Sequence, residues 1–80
     1  MIHTFKISNL SPYEMRERKR NLGFFVRHGI KITFLKKVIY VHMDTDYPYC
    51  VLLNMLTAYE RRGMVTCNEK AMNWFNIYRY

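Results

Sequence analysis

Two capped helix starts set between β-branched runs, in the order β-α-β-β-α-β, predict an α+β fold. Three observations carry this: the Ser11-Pro12-Tyr13-Glu14 box, the β-branched density of Ile30–Met43, and the Asp44–Pro48 cluster that leads into an apolar stretch ending at Gly63. The order is that of a split βαβ, or ferredoxin-like, two-layer sandwich. A winged helix-turn-helix is the alternative, because an apolar helix, Glu60-Arg61-Arg62-Gly63-Met64-Val65 and a terminal aromatic strand fit the end of such a domain. That alternative needs a helix at Ile30–Met43, and β-branched residues argue against one there.

Each element has its own reason. Ile2 to Ser8 alternates, with Phe5 and Ile7 on one parity and Thr4, Lys6 and Ser8 on the other, as a half-buried strand does. Ser11 then suits N-cap, Pro12 the first helical position and Glu14 the closing position of a capping box, with Leu10 and Met15 placed as a hydrophobic staple. This helix is expected to run to about His28, where Gly29 supplies a left-handed stop. Its core stripe is Met15, Leu22 and Val26, with Phe25 at the edge.

Ile30–Met43 is too long for one strand of a small domain and is read as two, broken near Lys36-Lys37. Asp44, Thr45 and Asp46 are three candidate caps for a second helix with Pro48 near its first turn, continuing to Arg61-Arg62. Apolar residues cover more than one face of it, so it is expected to be buried. Val65–Cys67 is a short apolar run and Asn68-Glu69-Lys70 a loop. Met72 to Tyr80 is expected to be the last strand, with Phe75 and Ile77 on one face and Trp74, Tyr78 and Tyr80 on the other.

The 80 residues read as a single domain, 1–80, with room for one small core. The chain's +7 net charge is confined to its first half: residues 1–40 hold nine of the 13 Lys and Arg against Glu14 and Glu17, whereas residues 41–80 balance four against four. A one-sided positive field attracts polyanions, of which nucleic acid is the most general. No signal-like or membrane-length apolar run is present, which predicts a cytoplasmic protein with no membrane association. Cys50 and Cys67 are then expected to be reduced, buried thiols. The bias toward Asn, Lys, Ile, Tyr and Phe is compatible with an AT-rich coding source such as a phage.

No catalytic motif is present, and neither a cofactor nor an enzyme activity is implied. His42-x-Asp44-x-Asp46 could be drawn as a divalent-metal site, but two carboxylates before a Pro-led helix are better explained as caps, so no metal is expected. Arg16, Arg20 and Arg27, with Tyr13 and Phe24, fall on the helix side opposite the core stripe, with Lys19 beside them. Guanidiniums at this spacing suit successive phosphates, and a ring among them suits a base. Lys31, Lys36 and Lys37 extend the basic surface or guard a sheet edge. Trp74, Tyr78 and Tyr80 form either a base-stacking face or a partner interface, a homodimer included. These features predict a small non-enzymatic nucleic-acid-binding protein, with RNA favoured over DNA. The alternative is a protein-binding inhibitor or modulator of a host enzyme, docking on an acidic surface.

Overall fold

β1 (His3–Ile7) buries His3, Phe5 and Ile7 and leaves Thr4 and Lys6 half-buried, so the alternation read from the sequence is real. The computed structural model describes residues 3–79, and of Phe24, Val26 and Arg27 only the backbone. After β1 come α1 (Pro12–Leu22), a 3₁₀ helix (Gly23–His28), β2 (Ile30–Leu35), β3 (Val38–Met43), α2 (Cys50–Arg61), β4 (Val65–Cys67) and α3 (Glu69–Tyr78). The strands form one four-stranded sheet in the order β2-β3-β1-β4, antiparallel throughout. β1 and β2 each oppose β3 and therefore run parallel to one another with β3 between them. β3 and β4 stand in the same relation across β1.

α1 starts as expected. The Glu14 backbone N–H donates to Ser11 Oγ at 3.1 Å and the Glu14 side chain accepts from the Ser11 N–H, closing the box, with Pro12 at the first helical position. The helix does not stay α-helical to His28. Gly23 breaks the run of helix formers, the next residues are aromatic and β-branched, and the chain tightens into a 3₁₀ turn before Gly29 ends it at φ +75°. Leu22 and Phe25 are buried and Met15 packs half-buried against them. The side chain of Val26 lies outside the described residues.

Ile30–Met43 folds as a hairpin broken at Lys36-Lys37, which removes the helix that a winged domain would need. Lys37 takes the left-handed conformation, φ +60°, that this two-residue turn requires. The Leu10 N–H donates to the Lys37 carbonyl at 3.0 Å and pins the turn beside the start of α1.

The second helix starts later than the cap cluster suggests. It begins at Cys50 with Tyr49 at N-cap and no side-chain cap. Tertiary contacts have drawn the acidic cluster away: His3 Nε2 donates to Asp46 Oδ1 at 2.6 Å, and the Trp74 indole N–H donates to the Asp46 carbonyl at 2.8 Å. α2 itself is buried, as expected, through Leu52, Leu53, Met55, Leu56, Thr57 and Tyr59.

In place of the strand expected over Met72–Tyr80, the chain forms helix α3 as far as Tyr78, and the fourth strand is Val65–Cys67. Ala71, Trp74 and Phe75 are buried, a spacing that fits 3.6 residues per turn; a strand would send the adjacent Trp74 and Phe75 to opposite faces. The core joins one parity of the sheet (Phe5, Ile7, Ile30, Ile39, Val41, Met43) to side chains from all three helices. The fold is thus a small two-layer α+β arrangement with helices on one side and the other sheet face free of them. Among the described residues, no helix is long and apolar enough to cross a membrane. Cys67 is half-buried, and that burial raises its thiol pKa, but Cys50 is exposed at the start of α2 and corrects the expectation of two buried thiols.

Candidate nucleic-acid interface

Residues 12, 15, 16 and 19 share one face of α1 by the i, i+3, i+4, i+7 rule. That face forms one wall of a groove of about 500 Å³; the other wall is the end of β2 and its turn. The lining is Pro12, Met15, Arg16 and Lys19 from α1, and Phe34, Leu35, Lys36 and Lys37 from the hairpin. Four cations thus rim an apolar floor, and no carboxylate lines it. Lys19 Nζ sits 5.9 Å from the centre of the Phe34 ring, a cation–π distance that holds the ammonium at the groove. Leu35 is 52% exposed, so the floor opens to solvent. Such a site offers phosphate oxygens charge and a base or apolar side chain a surface.

The structure brings Arg16 and Lys19 together with Lys36 and Lys37, some twenty residues away in sequence. Arg20 does not line the groove; its side chain is 75% exposed and pairs with Glu17 Oε1 at 3.6 Å on the same helix. Lys31 is exposed on β2, directly opposite His42 in register, on the sheet face away from the helices. The side chains of Phe24 and Arg27 lie outside the described residues, and so does Tyr80.

The aromatic cluster expected on a terminal strand is rearranged by the helix that replaces it. Trp74 is 5% exposed and belongs to the core: its ring stacks on His3 with centroids 5.2 Å apart and meets Phe5 edge-on at 6.0 Å. A ring so enclosed cannot stack on a base. Tyr78 remains partly exposed beside it, with centroids 5.7 Å apart. The sheet-face argument for a homodimer through Trp74, Tyr78 and Tyr80 therefore loses its premise. His42 and Asp46 also go separate ways, His42 to Thr4 and Tyr40, Asp46 to His3.

Sequence reasoning did not single out Lys6 or Tyr40, nor His42 in this setting. All three lie on the helix-free sheet face. The available signal was parity: Tyr40 and His42 alternate with the buried Ile39, Val41 and Met43. Away from this interface, Glu14 joins α1 to Arg62, the C-cap residue of α2. Arg62 Nη1 donates to Glu14 Oε2 at 2.8 Å, and chiefly this bond, with help from Ser11 and the Tyr59 hydroxyl, holds the Glu14 carboxyl down at about 2.

No protein-family model matches the chain, and neither a curated protein nor a solved structure matches it.

Proposed function

We propose that this is a small non-enzymatic nucleic-acid-binding protein, RNA ahead of DNA, led by phosphate contacts. The observation that carries the reading is the convergence of Arg16, Lys19, Lys36 and Lys37 on one open groove with no carboxylate in its lining. Coulomb attraction to a phosphate chain is then unopposed locally, while Phe34 and Leu35 offer contact to whatever the phosphates carry. RNA is favoured because the floor suits splayed bases, and because the groove-lining face of α1 presents Arg16 and Lys19 without the Asn or Gln that read adenine edges in duplex DNA. The strand order, with each parallel strand pair split by an antiparallel one, supports a ferredoxin-like sandwich to which α3 is appended.

The test is anisotropy of a labelled single-stranded RNA across a salt series. Replacing Arg16, Lys19 and Lys36 with Gln and Lys37 with Asn (which tolerates the left-handed turn) removes four cations. The log–log salt slope then falls in magnitude by about 3, at roughly 0.7 per phosphate contact on a single strand. An unchanged slope overturns the assignment. The exposed Leu35 gives a second reading, docking of an acidic apolar protein segment, some substance. Under that reading the protein retains no RNA at physiological salt and one acidic protein resists salt elution.

A further inference from the structure

The sheet face that no helix covers is chemically one-sided. Register and parity put Thr4 and Lys6 of β1, Val38, Tyr40 and His42 of β3, and Lys31, Thr33 and Leu35 of β2 on it. Lys6 and Lys31 are its only formally charged groups in these strands, and no Asp or Glu occurs in β1, β2, β3 or β4. The two rings sit at neighbouring same-face positions of β3, a central strand. Tyr40 and His42 are parallel to within 3°, with centroids 5.9 Å apart. Each ring is positioned from β1: Lys6 Nζ lies 5.9 Å from the Tyr40 centroid, and Thr4 Oγ1 is 3.4 Å from His42 Nδ1. Both rings are half-buried, so each is oriented by its neighbours and still reaches solvent.

From this geometry we infer that the helix-free face is a base-stacking platform for single-stranded RNA. Two bases stack on Tyr40 and His42, and Lys6 and Lys31 meet the phosphates that flank them. The inference rests on the nucleic-acid reading above and adds to it where the bases go. Three features select this occupant. Aromatic rings on a sheet accept bases of any sequence. Two ammoniums flank the rings and no carboxylate lies in the four strands, which complements a phosphate chain. The same charges oppose a second copy of this chain, because face-to-face pairing would bring together two faces that each carry Lys6 and Lys31, in a protein of net charge +7. The platform also runs on into the groove: Leu35 has the parity of the open face and lines the groove as well. One strand can therefore cross the sheet at β3, pass over the edge strand β2 and lay its backbone along Arg16, Lys36 and Lys37.

The experiment compares two probes of equal length, a labelled uridine oligomer and a labelled abasic phosphodiester oligomer. The proteins are wild type, Tyr40→Phe, Tyr40→Thr, His42→Thr and the groove variant; Thr keeps strand propensity while removing the ring. Tyr40→Thr and His42→Thr each weaken the uridine oligomer about tenfold, within the range for one lost base–aromatic stack. They leave the abasic oligomer unchanged, and Tyr40→Phe binds as wild type. The groove variant weakens both probes alike. If the ring variants bind uridine as wild type while the groove variant does not, the platform is refuted and the nucleic-acid reading stands. If wild type binds neither probe at physiological salt, both fall. A wild-type dimer in sedimentation that Tyr40→Thr dissociates assigns the face to a second copy and overturns the inference. Thermal unfolding of each variant excludes loss of fold as the cause of weakened binding.

Discussion

Replacing Glu14 with Gln separates two jobs that this residue performs at once. Gln can still accept from the Ser11 N–H, so the capping box survives. What is lost is the negative charge that Arg62 holds across the α1–α2 contact. The Glu14 carboxyl is lowered from 4.5 to about 2, first by the hydrogen bond from Arg62 and then by those from Ser11 and Tyr59, against the opposing effect of burial. Taken at face value this depression is worth about 3 kcal/mol. The Glu14 side chain is 21% exposed and the Arg62 side chain 55%, so solvent screening reduces it to about 1 kcal/mol.

The sign follows from the direction of the shift. A carboxyl whose folded pKa is depressed stabilises the fold fully above its unfolded value of 4.5, and the contribution disappears as pH falls through about 2. The single tryptophan, Trp74, is buried and reports unfolding by its fluorescence. At pH 7 the Glu14→Gln protein should melt about 4–8 °C below wild type, the shift that 1 kcal/mol produces in a domain of this size. At pH 2 the two should melt together. Equal stability at pH 7 would refute the ion-pair account, and an undiminished gap at pH 2 would assign the loss to packing.

Two further predictions concern local structure. Lys37→Gly relieves the left-handed strain at the hairpin turn and, after the extra chain entropy glycine brings to the unfolded state, should raise stability by about 0.5–1 kcal/mol; a lower melting temperature would show that the Lys37 side chain contributes contacts. Under native conditions a thiol reagent should modify the exposed Cys50 quickly and Cys67 slowly, since burial both shields the Cys67 sulfur and raises its pKa; peptide mapping that finds equal rates would contradict the placement of β4.

Elements decided within a few residues of sequence were the legible ones. The Ser11–Glu14 box is a four-residue signal, and the box forms. The apolar girth of α2 and the length of Ile30–Met43 likewise led to a buried helix and a hairpin. Distant contacts decided the rest. The caps at Asp44 and Asp46 were plausible locally, but Asp46 is taken by His3, 43 residues upstream. The Met72–Tyr80 pattern satisfies a period of two as well as one of 3.6, and Asn68-Glu69-Lys70, expected as a loop, is the N-cap and the start of α3, with the Asn68 side chain accepting from the Thr4 N–H of β1 instead of capping the helix. Of the basic residues, Arg16, Arg20 and Arg27 were read as one helical patch with Lys19 beside it, and of these Arg16 and Lys19 line the groove whereas Arg20 does not. Their meeting with Lys36 and Lys37 depends on how α1 lies against the hairpin, which no local pattern states. Parity put Tyr40 and His42 on one side of their strand, but the side left bare is a property of the assembled layers.

The central position of β1 has a consequence for the order in which the chain folds. Phe5 faces Val41 on one side and Cys67 on the other, 36 and 62 residues further along. The β2–β3 hairpin closes over two residues and can form within microseconds. β1, synthesised before both of its neighbours, has no sheet to join until that hairpin exists, and its second edge stays open until β4 arrives. The entropy of closing those two long loops falls on the same five-residue segment. Capture of β1 is therefore expected to limit the folding rate of this chain, and until it is captured a strand carrying Phe5 and Ile7 offers two unpaired edges, the kind of exposure that favours misassembly.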